Sequence, residues 1–340
     1  MYKKIFIVPY FGKFPNYFQL VLNSCEKNSD FNWLIITDIE VEYNYPKNVF
    51  ILKKTFEEIK KMIQKKFDFE ICLNTPHKFC DFKPVYGYVF QEYIKEYDFW
   101  GYCDIDVIFG RLSKFITDDI LEKYEKIFIY GHMTLYKNNE ENNKMFMLPL
   151  NGEKVYKKYL SKKYTYGFDE LWADSINNIY LQYEKKIYAE KLCADILPRE
   201  VNFRLALGHD KNYSDEFFER KRKSLFVYED GIINRYYIKN EKLKKVEYMY
   251  IHLQKRKMEV DKNILDYKKY MIIPNKFIGL DEIITLKTYR ELKKYKLSFD
   301  YFRHFFIGRK KAFKIFIGNL LPENLKKKIK KNKNSGSFMI

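Results

Sequence analysis

Two carboxylates one residue apart, Asp104 and Asp106, are the side chains of this chain most suited to chemistry. They lie within the run FWGYCDIDVIFG over residues 99–110, after an apolar lead-in. A run of that length reads as a buried strand, and the two-residue period of a strand turns both carboxylates to the same side. Side by side they repel each other unless a cation sits between them, and hard ions such as Mg²⁺ or Mn²⁺ take oxygen ligands. An apolar strand ending in D-x-D is therefore expected to hold a metal at the carboxyl edge of an α/β sheet, where open sheets bind ligands. The plain alternative is a surface turn with two solvated aspartates. A third protein ligand is wanted, and the histidines are His77, His132, His209, His252 and His304. His252 ends a strand in YMYIHLQKR and is followed by Lys255 and Arg256, cations suited to phosphate oxygens. Its plain alternative is a strand-end histidine beside a basic turn. Asp169 and Glu170 stand at the expected start of a helix after Gly167. The helix dipole favours acids there, and the same place suits a general base. Asp38 and Asp81 divide likewise between cap or strand-end roles and a site.

Strands and helices alternate ahead of these residues. Residues 4–11 (KIFIVPYF), 32–38 (NWLIITD) and 48–53 (NVFILK) read as strands, 17–25 as a helix. Thr55 caps a helix running to about residue 67. The strongest helical periodicity is Phe82, Val85, Tyr86, Val89, Phe90, Tyr93 and Ile94, with Asp81 at the N-cap and Pro84 in the first turn. Such alternation points to a mostly parallel α/β sheet. Residues 126–136 read as a strand pair or bent strand around Gly131, 140–144 as a polar loop, and 153–163 and 169–183 as helices. From residue 225 the pattern becomes an antiparallel meander: 225–228, a turn at 229–231, 232–239, then 246–253. Residues 290–331 read as helical.

The 340 residues suffice for a large core, and 46% hydrophobic with 19% aromatic residues argues against disorder. Five cysteines without a C-x-x-C or zinc spacing read as reduced thiols of a cytosolic protein. The apolar N-terminal run is broken by Pro9 and Gly12 and lacks a cleavage site, so it reads as a strand rather than a secretion signal. No stretch is long and apolar enough to span a membrane. The net charge of +18 is concentrated at one end: residues 303–333 hold 11 Lys/Arg against Glu323 alone. P-loop, dinucleotide-fingerprint, nucleophile-elbow and H-E-x-x-H patterns are lacking.

Taken jointly and in order, IVPYFG (7–12), ITD (36–38), CDFKPVYG (80–87), FWGYCDIDVIFG (99–110), GHMTLYKN (131–138), GFDE (167–170) and YIHLQKRKM (250–258) resemble a glycosyltransferase of the GT-A fold. More narrowly, they resemble an incompletely characterised bacterial family of capsule and O-antigen gene clusters. One departure is Arg111 after Gly110. The resemblance implies an α/β, Rossmann-like GT-A domain over 1–290. It carries a mixed, mostly parallel sheet flanked by helices and an antiparallel meander, followed by a basic helical region at 291–340. It implies a nucleotide-sugar donor, foremost a UDP-sugar, with Pro9, Tyr10, Phe11, Gly12, Thr37 and Asp38 at the nucleoside. Asp81 and Lys83 fall near the donor sugar and phosphates. Asp104, Asp106 and His252 hold Mn²⁺ or Mg²⁺, which acts as a Lewis acid on the leaving diphosphate, helped by Lys255 and Arg256. Gly131, His132 and Thr134 form the acceptor wall, and Asp169 or Glu170 faces a saccharide or lipid-linked saccharide acceptor. The basic, aromatic tail fits the anionic inner face of the cell membrane, giving a cytoplasmic, peripheral enzyme. No nucleic-acid partner is expected, because the basic residues alternate with large apolar ones and no nucleic-acid module is present. The rival readings are a metal-dependent nucleotidyltransferase, and a non-enzymatic membrane-peripheral or nucleic-acid-binding protein with a structural D-x-D.

Overall fold

In the strand Lys4–Pro9, alternate side chains part to opposite faces of a sheet, and both faces are covered. Phe6 and Val8 join one apolar cluster with Phe18, Trp33 and Phe109, while Ile5 and Ile7 join another with Phe82, Tyr86 and Trp100. A strand buried on both sides is the mark of a parallel sheet between helical layers. The computed structural model describes residues 1–40, 42–190, 193–196, 200–213, 216–219, 224–297, 299, 302–303, 305–307 and 309–310.

Seven strands form this sheet: Val49–Lys53, Phe31–Thr37, Lys4–Pro9, Phe99–Cys103, Met133–Lys137, Lys126–Tyr130 and Ile187–Tyr188, in that spatial order. The first four are parallel neighbours, and Met133–Lys137 pairs antiparallel on both sides. The expected mixed, mostly parallel α/β sheet is present. A second sheet joins Val107–Phe109, Tyr250–His252, Cys193–Asp195, Arg204–His209 and Glu216–Phe218. The meander forms a third, in which Leu225–Glu229, Ile232–Lys239 and Lys242–Tyr248 pair antiparallel. Strands Lys269–Ile273 and Lys276–Gly279 extend it.

Several local expectations change. The apolar run 99–109 is not one strand: Phe99–Cys103 and Val107–Phe109 belong to different sheets, and Asp104, Ile105 and Asp106 make the turn between them. Residues 246–253 likewise divide at Met249, Lys242–Tyr248 staying in the meander while Tyr250–His252 enters the second sheet. The periodic helix is broken into Phe79–Phe82, a 3₁₀ turn Lys83–Val85, Tyr86–Val89 and Gln91–Ile94. Pro84 lacks the N–H a continuous helix needs. Gly87 lets Trp100 approach so closely that a Cβ there would lie 2.3 Å from the indole. The apolar stripe is buried regardless from Phe82 to Ile94, except for Tyr93, which is exposed. The helix expected to start at 169 is Ile176–Gln182, so Asp169 and Glu170 lie on the loop before it. Residues 140–144 are helical rather than loop, because Asn139 caps them by accepting from the Asn142 N–H. Thr55 and Glu58 form the capping box of Phe56–Gln64.

The boundary expected at 290/291 falls inside the helix Leu286–Leu292, whose Tyr289 and Leu292 pack on the meander. Most of the predicted basic helical tail, everything past residue 310, lies outside the described residues. Among the described residues no helix is long and apolar enough to cross a membrane.

One buried ion pair fastens the helical segment to the loop that follows residue 163. Lys78 and Asp81, both fully buried, meet at 2.5 Å. Lys78 Nζ also donates to the carbonyls of Tyr159 and Tyr164, and Asp81 accepts the N–H groups of Tyr166, Gly167 and Phe168. Asp81 is thus neither a helix cap nor a donor-facing group; its oxygens are spent on the loop. Removing one partner strands the other charge in the interior. Asp81→Ala is expected to lower the unfolding free energy by about 3–5 kcal/mol, read from urea midpoints. A loss under about 1 kcal/mol would show that the pair does not hold this loop.

Candidate metal centre

The strands Lys4–Pro9 and Phe99–Cys103 lie side by side, but the chain leaves them toward opposite edges of the sheet. Lys4–Pro9 is followed outward by Phe31–Thr37, and Phe99–Cys103 by Met133–Lys137. That is a topological switch point, where the carboxyl ends of the strands leave a crevice. Pro9 and Tyr10 stand at one lip and Cys103, Asp104, Ile105 and Asp106 at the other. His77, Cys80, Lys83, Tyr86 and Lys255 close the cleft, which leaves about 70 Å³, room for an ion and its waters. A roomier hollow of about 830 Å³ lies elsewhere, between Gln19, Tyr43, Tyr45 and Lys53, and among the described residues it carries no converging metal-ligand set.

Asp104, Asp106 and His252 each aim a ligand atom at one point, all within 4.8 Å of one another. The sheet register produces this. His252 pairs with Val107, next after the D-x-D turn, and the Leu253 N–H donates to the Asp106 carbonyl at 3.0 Å. His252 Nε2 lies 3.4 Å from Asp104 Oδ2 and 3.5 Å from Asp106 Oδ1. Asp106 also accepts the backbone N–H of Lys255. Two carboxylates and an imidazole make an oxygen-rich set with one nitrogen, which suits Mn²⁺ and, less closely, Mg²⁺. The three residues can hold a divalent cation. Its expected geometry of two carboxylates on one face of a strand is replaced by a turn that folds them toward the histidine.

The charges around this point are interdependent. Lys83 Nζ donates to Asp104 Oδ1 at 2.7 Å and to the Gly131 carbonyl at 2.8 Å, and lies 3.3 Å from Asp169 Oδ2. Burial opposes ionisation of Asp104, but Lys83 and His252 outweigh it and hold its carboxyl below the usual range. Burial likewise works against the His252 cation, and Asp106 and Asp104 overcome it, keeping the imidazole well above its ordinary value. Asp169 goes the other way: burial pushes it up to about 8, against the pull of Lys83. Glu170 is raised too, by burial and by Asp104. Both acids press on Gly131, where a Cβ would lie 2.4 Å from Glu170 Oε1 and 2.6 Å from Asp169 Oδ2. Any larger residue there would force the two acids to shift.

The other expected site residues scatter. Pro9 and Tyr10 line the cleft, but Phe11 is buried against Phe56 and Phe79. Gly12 turns with φ +121°, and Asp38 is exposed; neither lines the cleft. Thr37 is fully buried and accepts the Ile39 N–H, serving the turn after its strand. Thr134 is fully buried with its hydroxyl on the Tyr130 carbonyl, so it cannot form an acceptor wall. His132 stacks on His252 with ring centroids 4.5 Å apart. Lys255 lines the cleft, whereas Arg256 is buried and donates from Nε to Asn275. Arg111 turns away into a two-pronged pair with Glu247. One residue escaped the sequence reading. Asp195, at the end of the strand Cys193–Asp195, lies 3.1 Å from His252 Nδ1. An acid closing a short strand, as in residues 36–38 and 99–104, was its only signal.

The raised Asp169 carboxyl fixes the sign of a pH effect. Its proton leaves the unfolded chain near pH 4 but stays on the native state until about 8, so it stabilises least at high pH. Across that window the stability difference between wild type and Asp169→Asn is expected to change by about 1.4 kcal/mol per pH unit, in the variant's favour as pH rises. Urea unfolding at pH 5, 6, 7 and 8 measures it; parallel stability curves would refute a protonated Asp169.

A model of a family of unknown function, DUF6625, matches residues 6–281, which contain every residue of the centre. The chain matches no curated protein.

Proposed function

The chain belongs to the DUF6625 family, and for it we propose metal-dependent transfer of a sugar from a nucleotide-diphosphate sugar to a saccharide or lipid-linked acceptor. The observation that carries this reading is the convergence of Asp104, Asp106 and His252 at a sheet switch point, beside Lys255 and the acids Asp169 and Glu170. The proposed fold assignment is GT-A, and the proposed setting is surface-polysaccharide synthesis at the inner face of the membrane. The joint resemblance of the seven segments between residues 7 and 258 supports the fold and the polysaccharide setting, and the basic, aromatic composition of 303–333 supports the membrane.

Each residue's part follows from its place. Pro9 and Tyr10 offer an apolar lip and a ring for the nucleoside, foremost uridine. Asp104, Asp106 and His252 would hold Mn²⁺ or Mg²⁺, and a bound divalent ion supplies Lewis-acid stabilisation to a leaving diphosphate. Lys255 adds a cation on the same side, suited to phosphate oxygens. Lys83 offsets the Asp104 charge and stands beside the protonated Asp169, which limits repulsion of an anionic donor. Of the two acids, Asp169 is 1% exposed while Glu170 is half-buried, so Glu170 is the one an acceptor hydroxyl reaches. If the reaction inverts configuration, Glu170 takes that hydroxyl's proton, and its raised pKa brings it toward neutral pH for that task.

Thermal unfolding with UDP, GDP, CDP or ADP, each with and without Mn²⁺, tests the reading. One diphosphate is expected to raise the midpoint only when metal is present. At 100 times its dissociation constant, a ligand of the native state adds about 2.7 kcal/mol, or about 4 °C for a chain of this size. Asp106→Ala is expected to abolish the shift. No stabilisation by any of the four at millimolar ligand would overturn the proposal.

A further inference from the structure

We infer that Asp195 is a positioning residue, which fixes the His252 ring so that Nε2 faces the metal point. The inference rests on the metal reading of this site.

An imidazole offers a lone pair at one nitrogen only when its proton is held at the other. His252 Nε2 is the atom turned to Asp104 and Asp106, so Nδ1 is the one that must keep a hydrogen. Asp195 Oδ1 lies 3.1 Å from Nδ1, at the opposite edge of the ring. From there Asp195 cannot share the ligand point itself; it can only act through the histidine. A carboxylate behind a ligating histidine sets the tautomer, orients the ring and raises its basicity.

Three features of the chain put Asp195 there. Strand Cys193–Asp195 runs parallel to Tyr250–His252 with Asp195 opposite His252, and the Ile196 N–H donates to the His252 carbonyl. Gln254 then holds the second carboxylate oxygen, donating from Nε2 to Asp195 Oδ2 at 2.5 Å. Gln254 and Lys255 adopt left-handed backbone, with φ of +47° and +54°. Left-handed backbone is unfavourable for a non-glycine residue. Here it turns the Gln254 side chain back to Asp195 and the Lys255 N–H onto Asp106. One reversal of the chain thus serves the carboxylate behind the histidine and a carboxylate in front of it.

Mn²⁺ titrations of the full chain, followed by the paramagnetic resonance of the free ion, compare wild type with His252→Ala, Asp195→Ala, Asp195→Asn and Gln254→Leu. His252→Ala is expected to lose tight binding, and Asp195→Ala to weaken it about 10- to 100-fold. Asp195→Asn keeps an acceptor oxygen for Nδ1–H and is expected to recover most of that loss, an order that a merely structural role would not give. Gln254→Leu leaves the carboxylate loose and is expected to weaken binding about 10-fold, at the lower end of such outer-shell effects. It carries the test if Asp195→Ala does not fold. Wild-type affinity in Asp195→Ala, or in Gln254→Leu should the alanine variant not fold, would overturn the inference while His252→Ala still loses metal. Absence of Mn²⁺ binding by the wild type, alone or with UDP, would overturn the metal reading and this inference together.

Discussion

One buried ammonium governs the centre. Lys83 stands between Asp104 and Asp169, with the Gly131 carbonyl as its third partner, and Glu170 packs on the same glycine. Unit charges 4 Å apart interact by about 4 kcal/mol at the effective dielectric suited to protein sites. Carboxylates gathered this closely cannot all stay ionised around one cation. The divergence follows: Asp104 is held down by its contact with Lys83 and His252, while Asp169, deeper and farther from Lys83, is driven up. The lysine also ties together a helical turn, the D-x-D turn, the 130–133 hairpin and the 167–174 loop.

The short segment 76–94 serves two demands at once, and its broken helices reflect both. Its apolar face seals one side of the main sheet from Phe82 to Ile94. Its polar residues Lys78, Asp81 and Lys83 reach instead to the loop of the acids and to the D-x-D turn. A straight helix would point residues 78, 81 and 83 along a fixed spiral. The 3₁₀ turn at Lys83–Val85 lets Lys83 swing toward Asp104 while Asp81 stays with the loop.

Local patterns in the sequence carried much of this. The parallel strands, the capping box at Thr55 and the meander are set by near neighbours, and so is the apolar stripe of 82–94. The D-x-D pair and His252 were legible by residue type. Their geometry was not, because a strand and a two-sheet turn have the same apolar flanks; only pairing with distant partners distinguishes them. The same holds for Asp81, which looks like a cap until the loop at 166–168 arrives to claim its oxygens. Thr134 and Arg256 show the opposite limit: polar residues in plausible motifs whose side chains the packing turns inward. Asp195 carried no motif at all, and its place depends on a parallel register with a strand more than fifty residues on.

Asp106 and the turn that binds it are 149 residues apart along the chain. A contact of that span closes a long loop before it returns any energy, which slows folding. A partly folded chain, or a fragment ending before the second sheet, has carboxylates but no preformed ligand set. Any ion affinity at this centre is therefore a property of the completed topology, and whatever energy a bound ion contributes would be shared by the whole cooperative unit rather than by one loop.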